Sequence, residues 1–288
     1  METGSPARKS LAGSPLDRWG GTIPTATPLD PEGQDTPRVN VLGVGVSAVN
    51  MARTLEVIDS WLRDRRRNYI CLTPAHSVMA CYRDPDLRRI FNASGLTTPD
   101  GMSIVWILRR RDHREVGRVY GPDLMLACCE RFLGPQYRHF LYGGQAMQLD
   151  ALRARLQDRF PGLVVSGTYA PPFGALTPEE DAQIVRMINR SGADIVWVGL
   201  GSPKQERWMA EHLGRIDAPV MIGVGAAFDF LVGLKPQAPR WIQRSGLEWL
   251  FRLATEPRRL WPRYRSYPLF ALLVLAQELG ISRFTPEA

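Results

Sequence analysis

The chain has little of what marks several common protein classes. Nowhere do 18 or more apolar residues run together, so no stretch is expected to span a bilayer. Its start lacks a basic cluster followed by an apolar stretch, so a secretory signal is not expected either. Cysteine is scarce, and Cys71, Cys81, Cys128 and Cys129 show no metal spacing. Cys71 lies in an apolar strand and Cys128 and Cys129 are adjacent on a helix, so they read as reduced packing residues in a reducing compartment. The four histidines, His76, His113, His139 and His212, are scattered, which argues against a His-rich metal centre. Neither a metal site nor a cofactor is assigned.

What is present is one core's worth of apolar residues. With 288 residues, 44% apolar and 23% charged, the chain can bury a good-sized core with a small appendage. The net charge is +7, and its location matters more than its size. Between Lys235 and Arg265 eight basic residues face only Glu248 and Glu256, so nearly the whole excess sits in about a tenth of the chain. A localised basic surface points to phosphates, on a lipid headgroup, a pyrophosphate or nucleic acid.

Residues 1–37 hold six prolines and five glycines with few large apolar side chains, and read as a disordered leader. The β-branched run Arg38–Val46 reads as a first strand buried on both faces. From there strands and helices alternate: strands at 69–73, 139–142, 163–169, 194–200 and 220–224, with helical segments between them. This order predicts an α/β fold, a mainly parallel, Rossmann-like sheet with helices on both faces over residues 38–234. Ligands of such sheets bind beyond the carboxyl ends of the strands. Residues 235–288 break the alternation and become a basic, Trp-rich helical appendage, with an apolar helix expected over Tyr267–Ile281.

Three strands end in glycines. His139-Phe-Leu-Tyr-Gly-Gly144 is one such junction, and Ile195-Val-Trp-Val-Gly-Leu-Gly-Ser-Pro-Lys-Gln-Glu206 is a second. Val220-Met-Ile-Gly-Val-Gly-Ala-Ala-Phe-Asp229 is the third. Backbone N–H groups at such turns and helix starts attract anions, so Gly143, Gly144, Gly201 and Lys204 are candidate contacts for a nucleotide or nucleotide sugar. Gln205 projects from the same turn as Lys204. Asp229 reads either as a helix-start acid or as an acceptor for sugar hydroxyls or a base edge.

Other motifs carry competing readings. Gly43-Val-Gly45 begins a dinucleotide fingerprint, but Ala48 stands in the third glycine's place and no acid ends the second strand, so a tight strand-to-helix turn is preferred to NAD binding. Asp84-Pro-Asp86 is formally an acid-x-acid cation motif, yet at a helix start Asp is the preferred cap. Thr98-Pro-Asp-Gly101 reads as a surface turn on composition, or as a carboxylate at the mouth of the sheet that accepts a proton. Trp241, Trp249, Trp261 and Phe251 among the arginines suit packing onto the body and also a membrane interface.

Seven blocks follow one another along the chain: Leu96-Thr-Thr-Pro-Asp-Gly-Met102, Arg118-Val-Tyr-Gly-Pro-Asp-Leu124, Phe140-Leu-Tyr-Gly-Gly144, Tyr169-Ala-Pro-Pro-Phe173, Val198-Gly-Leu-Gly-Ser-Pro-Lys-Gln-Glu-Arg-Trp208, Gly223-Val-Gly-Ala-Ala-Phe-Asp-Phe230 and Ala238-Pro-Arg-Trp-Ile-Gln-Arg-Ser-Gly-Leu-Glu-Trp249. With these blocks in this order, the chain resembles the WecG/TagA/CpsF glycosyltransferase family (glycosyltransferase family 26). The resemblance implies inverting, metal-independent transfer of an N-acetylmannosamine-type sugar from a UDP donor. The implied acceptor is an N-acetylglucosamine on a polyprenyl diphosphate at the cytoplasmic membrane face. By position it makes Asp100 the general base, places Thr73 beside the catalytic pocket, and associates Arg118 and Gln205 with donor diphosphate and catalysis. Asp229 would contact the nucleotide, and Arg252 and Arg259 belong to an appendage that closes over the site at the membrane. Many members carry Asn two residues after the threonine, where this chain has Ala75, which shifts that contact toward His76.

The expected partners are therefore a UDP-sugar, a lipid-linked glycan and the membrane surface, with the protein cytoplasmic and peripheral. A different hexose donor for an exopolysaccharide is the alternative within the same class. A basic nucleic-acid module is the reading from another class, and it leaves the three glycine-rich strand ends without a purpose. The oligomeric state stays open, a homo-oligomer included.

Overall fold

The computed structural model describes residues 36–172, 174 and 176–285. The leader assigned to residues 1–37 and Phe173 of the Tyr169–Phe173 block lie almost wholly or wholly outside the described residues.

The chain opens not with a sheet strand but with a hairpin, β1 (Arg38–Val41) and β2 (Val44–Ser47), paired antiparallel. Leu42 and Gly43 form its two-residue turn with φ of +52° and +90°, the backbone that a right-twisted hairpin requires. This corrects two expectations. The Arg38–Val46 run is not one buried parallel strand, and Gly43 and Gly45 lie within a hairpin rather than at the expected strand-to-helix turn. The hairpin instead packs beside β4, where Ser47 Oγ accepts the Thr97 N–H at 3.0 Å.

From there the alternation is as expected. Helix α1 (Met51–Arg63) leads to β3 (Asn68–Thr73), and then α2 (Ala75–Arg83) and α3 (Pro85–Ala93) lead to β4 (Leu96–Pro99). Helices α4 (Met102–Arg110) and α5 (Gly121–Arg131) precede β5 (Arg138–Gly143), α6 (Ala146–Arg159), β6 (Val164–Tyr169) and α7 (Pro178–Arg190). Strand β7 (Ile195–Gly199), α8 (Lys204–His212), β8 (Val220–Gly223) and the short α9 (Ala227–Leu231) complete the body. Asp84 caps α3 by accepting the Leu87 N–H at 3.0 Å, which also splits the expected 77–92 helix in two.

Six strands form one parallel sheet in the order β4-β3-β8-β7-β5-β6. Successive side chains point to opposite faces, and both faces are covered. Tyr69, Cys71, Tyr142 and Val198 pack with Met79, Phe91, Leu108 and Met209 of α2, α3, α4 and α8. Ile70, Leu72, Leu141 and Trp197 pack with Ile58, Met125, Leu152 and Phe228 of α1, α5, α6 and α9. All four cysteines are buried free thiols within these layers.

The C-terminal helices are α10 (Arg240–Arg244), α11 (Glu248–Thr255), α12 (Pro257–Tyr264) and α13 (Tyr267–Glu278). They are seated on the body. Arg240 grips the buried Asp123 with both terminal nitrogens at 2.7 and 2.8 Å, and Arg111 meets Glu278 at 2.7 Å. Gln277 Oε1 accepts the Leu42 N–H at 3.1 Å, and Phe270 enters the main core. No helix of the described residues is long and apolar enough to cross a membrane.

Candidate active site

The three glycine-rich ends come together because β8, β7 and β5 are neighbours in the sheet. Their carboxyl ends floor a cavity of about 570 Å³ that includes Gly144, Gly199, Gly201, Gly223 and Gly225. Gly143 stands just beneath it with φ +115°, and a Cβ there would lie 2.6 Å from the carbonyl carbon of Gly199. Only glycine lets β5 and β7 approach so closely at their ends. Gly144 and Gly201 also have positive φ, +68° and +77°, which turns the chain sharply into α6 and α8. The first turns of these helices, carrying Gln148, Lys204 and Gln205, face the cavity.

Side chains of both signs surround this floor. Asp229 accepts from Gln148 Nε2 at 2.6 Å and is ion-paired with Lys235. Gln205 is 4% exposed, donates to Glu206 Oε1 at 3.0 Å, and leaves its own Oε1 buried without a partner. Three arginines of the appendage, Arg252, Arg259 and Arg263, lie on the same wall. Arg252 sits over the Phe230 ring at 5.3 Å, and Arg263 donates to the Ser202 carbonyl at 3.2 Å. Arg259 is paired with Glu256.

Asp100 stands where β4 ends, and it is not a surface turn residue. Its side chain is only 18% exposed, and its Oδ1 accepts no hydrogen bond. Arg118 donates Nε to the Asp100 carbonyl at 2.8 Å but turns its Nη2 to Glu248 at 2.6 Å, leaving Asp100 Oδ1 3.6 Å away. The Tyr120 ring lies 4.2 Å under the same guanidinium and holds it flat. Burial pushes the Asp100 carboxyl up to about 7; Arg118 opposes the rise and Glu248 adds to it. A buried carboxylate with an unpartnered oxygen and an affinity for protons near neutrality is equipped to act as a base.

A second cavity, of about 530 Å³, lies between α4 and the appendage helices α11 and α13. It shares Pro74, His76, Asp100 and Arg252 with the first, so the two chambers meet at Asp100. His76 has a buried Nδ1 without a partner and packs edge-on to Tyr264 at 6.0 Å. Burial, with Arg263 and Arg252 nearby, lowers its proton affinity to about 3, so the ring is neutral. Arg118 lines this second chamber rather than the glycine-floored one. Thr73 lines neither: it is wholly buried and donates its hydroxyl to the Cys71 carbonyl at 3.1 Å.

Two acidic residues that sequence reasoning passed over belong to this site. Glu248 was counted only as part of a motif, yet it is 8% exposed and engages Arg118 beside Asp100. Glu206 reads as an ordinary first-turn acid, yet it is fully buried on the wall of the glycine-floored chamber. The signal for Glu248 was its rarity, one of only two carboxylates among eight cations. Among the described residues no three His, Cys, Asp or Glu side chains group closely enough to hold a metal ion. Asp84 caps α3 and pairs with Arg207 at 2.6 Å, while Asp86 pairs with Arg89 at 2.9 Å.

Comparison with known proteins adds an independent line. The model of the glycosyl transferase WecG/TagA/CpsF family matches residues 39–283. A Bacillus subtilis protein named N-acetylglucosaminyldiphosphoundecaprenol N-acetyl-beta-D-mannosaminyltransferase is 29% identical over 208 residues, covering 72% of this chain and 79% of that protein. A Staphylococcus aureus protein with the same name is 26% identical over 241 residues, covering 83% of this chain and 92% of its own length.

Proposed function

The chain belongs to the WecG/TagA/CpsF glycosyltransferase family, and from that premise we propose that it moves an N-acetylmannosamine-type sugar from a UDP donor to an N-acetylglucosamine carried on a polyprenyl diphosphate, with inversion and without a metal ion. The observation that carries this reading is Asp100, a carboxylate with an unpartnered oxygen at the meeting point of two chambers. The names of the Bacillus and Staphylococcus relatives support the sugar and the acceptor.

In this reading the glycine-floored chamber takes the donor. The N–H groups at the turns after β5, β7 and β8 and the first turns of α6 and α8 meet the diphosphate. Lys204, Arg252, Arg259 and Arg263 on the same walls add the positive charge. Asp229 and Gln148 offer acceptors and donors to the nucleoside. The acceptor hydroxyl approaches from the second chamber. Its oxygen attacks the anomeric carbon as its proton passes to Asp100, the bond to the diphosphate breaks on the opposite face, and the nucleoside diphosphate leaves with the electron pair. A one-step displacement of this kind inverts the anomeric centre and needs one base. Arg118 fixes the backbone of Asp100, and neutral His76 can accept or donate a hydrogen bond to either sugar. Thr73 acts here through the strand end that carries Pro74, not by touching substrate.

The appendage also supports peripheral attachment to the membrane face where such acceptors reside. Trp241 and Trp261 are 69% and 60% exposed, and Leu250, Leu272 and Ile281 are exposed as well. Rings and leucines on a basic helical surface suit an interface between headgroups and acyl chains.

The decisive experiment is transfer from UDP-N-acetylmannosamine to a lipid-linked N-acetylglucosamine diphosphate, followed as release of UDP. Turnover that persists in EDTA is expected. Turnover that vanishes with EDTA and returns with manganese removes the metal-independent mechanism, and thermal stabilisation by NAD but not by UDP removes the donor assignment.

A further inference from the structure

We propose that the second chamber is a built site for the isoprenoid segment next to the diphosphate of the acceptor, so that the protein recognises the lipid as well as the sugar. The inference rests on the reading of Asp100 as the base that receives the acceptor's proton. An acceptor sugar that reaches Asp100 from the side opposite the donor must leave its diphosphate and the first part of its lipid in this chamber. The walls suit that cargo. Trp106, Ile107, Trp249, Phe270, Val274 and Leu275 supply apolar lining; Arg118 and Glu248 cluster beside Asp100, while Arg110 and the Arg111-paired Glu278 also line the chamber. Its volume of about 530 Å³ falls within the range of small-molecule sites, about 300–1,000 Å³.

The chamber has a cation for the diphosphate and an exit for the chain. Arg110, exposed at the end of α4, lines it, and Arg252 stands where the two chambers meet. Trp106 and Leu275 line the chamber while 49% and 54% exposed, so they form its mouth. Leu269, Leu272 and Leu279 of the same C-terminal segment are also exposed, which gives an emerging hydrocarbon an apolar surface to follow. The mouth is shaped by the backbone. Gly246, with φ +77°, lets the Trp106 ring lie so close that a Cβ there would be 2.5 Å from it. The contact joins α4 of the body to the loop before α11, so the chamber exists only with the appendage seated.

Farnesyl diphosphate is the probe, since it carries the isoprenoid and the diphosphate without any sugar. Titration of the intact protein should quench the fluorescence of Trp106 and Trp249, and Trp106→Phe with Trp249→Phe should remove that quench. Val274→Trp, which fills the chamber, should weaken farnesyl diphosphate binding tenfold or more while UDP affinity and melting temperature stay close to wild type. With acceptors of either tail, the ratio of kcat/KM for a farnesyl-linked to an ethyl-linked N-acetylglucosamine diphosphate should fall at least tenfold in Val274→Trp. Equal binding of farnesyl diphosphate by wild type and Val274→Trp overturns the proposal. So does equal competition by a straight-chain detergent without a diphosphate, which marks an unselective apolar cavity. Should no acceptor support turnover while the probe still binds and quenches, the transfer reading fails and the isoprenoid site stands.

Discussion

At the scale of single residues, the site is governed by how Arg118 divides its charge. Two carboxylates compete for it, and Glu248 at 2.6 Å wins over Asp100 at 3.6 Å. Asp100 is therefore buried but weakly paired, and its proton affinity rises from the ordinary 3.8 to about 7. The activity profile should follow. The acidic limb of kcat/KM is expected near pH 7, with activity gained as Asp100 ionises. Asp100→Asn should lower kcat by about 10²–10⁴-fold while leaving UDP affinity nearly intact. The stability of the same variant has a defined sign. Because the folded chain holds the Asp100 proton more tightly than the unfolded one, stability falls as pH rises from about 4 to about 7, by at most about 4 kcal/mol. Asn cannot ionise, so Asp100→Asn should melt higher than wild type at pH 8 and close to it at pH 4. Thermal melts at the two pH values check this, and a lower melting temperature at both would show that the carboxylate is satisfied rather than strained by burial.

Glu248 gives a second residue-scale prediction. Replacing it with Gln frees Arg118 to turn fully to Asp100, and a closer cation favours the ionised carboxyl. Glu248→Gln should move the acidic limb of kcat/KM to lower pH and reduce the maximum rate, since a better-paired carboxylate is a poorer base. A pH profile whose limb stays in place would separate Glu248 from the base. This arrangement was not legible in the chain. Asp100 and Glu248 are 148 positions apart, and no local pattern states that an arginine will lie between them. On turn chemistry Asp100 read more readily as a surface residue than as a base, and only the seven ordered blocks raised it to the site. The partial exposure of His76 and the complete burial of Thr73 were equally invisible to spacing.

At the scale of elements, the readable parts were those with a strong period or a strong breaker. Apolar runs such as Tyr69–Thr73 and Ile195–Gly199 announced strands buried on both faces, and the glycines after them marked the ends. The hairpin was missed because Leu42-Gly43 is not among the dipeptides that signal a type I′ turn, and the β-branched run continues across it. What spacing could not tell is that β8, β7 and β5 would be adjacent, since that depends on the winding of the whole sheet. The adjacency makes Gly143 a test of the floor. Gly143→Ala forces a left-handed backbone onto a residue with a Cβ and drives that Cβ against Gly199. Strain of this sort costs about 1–3 kcal/mol, or roughly 2–10 °C in melting temperature for a chain of this size. UDP affinity should fall alongside it. Loss of stability with unchanged UDP affinity would mean that the β5 end frames the sheet without touching donor.

At the scale of the whole molecule, the basic excess divides into two populations with different tasks. Lys235 and Arg240 are committed to Asp229 and Asp123, and Arg252, Arg259 and Arg263 face the glycine-floored chamber. Much of the charge that looked like a membrane patch is thus turned inward. Arg258 and Arg265 remain exposed, alongside Trp241 and Trp261. Membrane association built from this surface should rest more on rings than on charge. In co-sedimentation with vesicles containing anionic lipid, Trp241→Ala with Trp261→Ala should weaken binding more than Arg258→Gln with Arg265→Gln, and moderate salt should only partly release the wild type. Point substitutions are the proper instrument, because the appendage supplies Glu248 and Phe270 to the site and the core, and its removal would damage both. Binding that disappears in moderate salt and ignores the tryptophans would assign the attachment to the arginines instead, and the exposed rings would then need another partner.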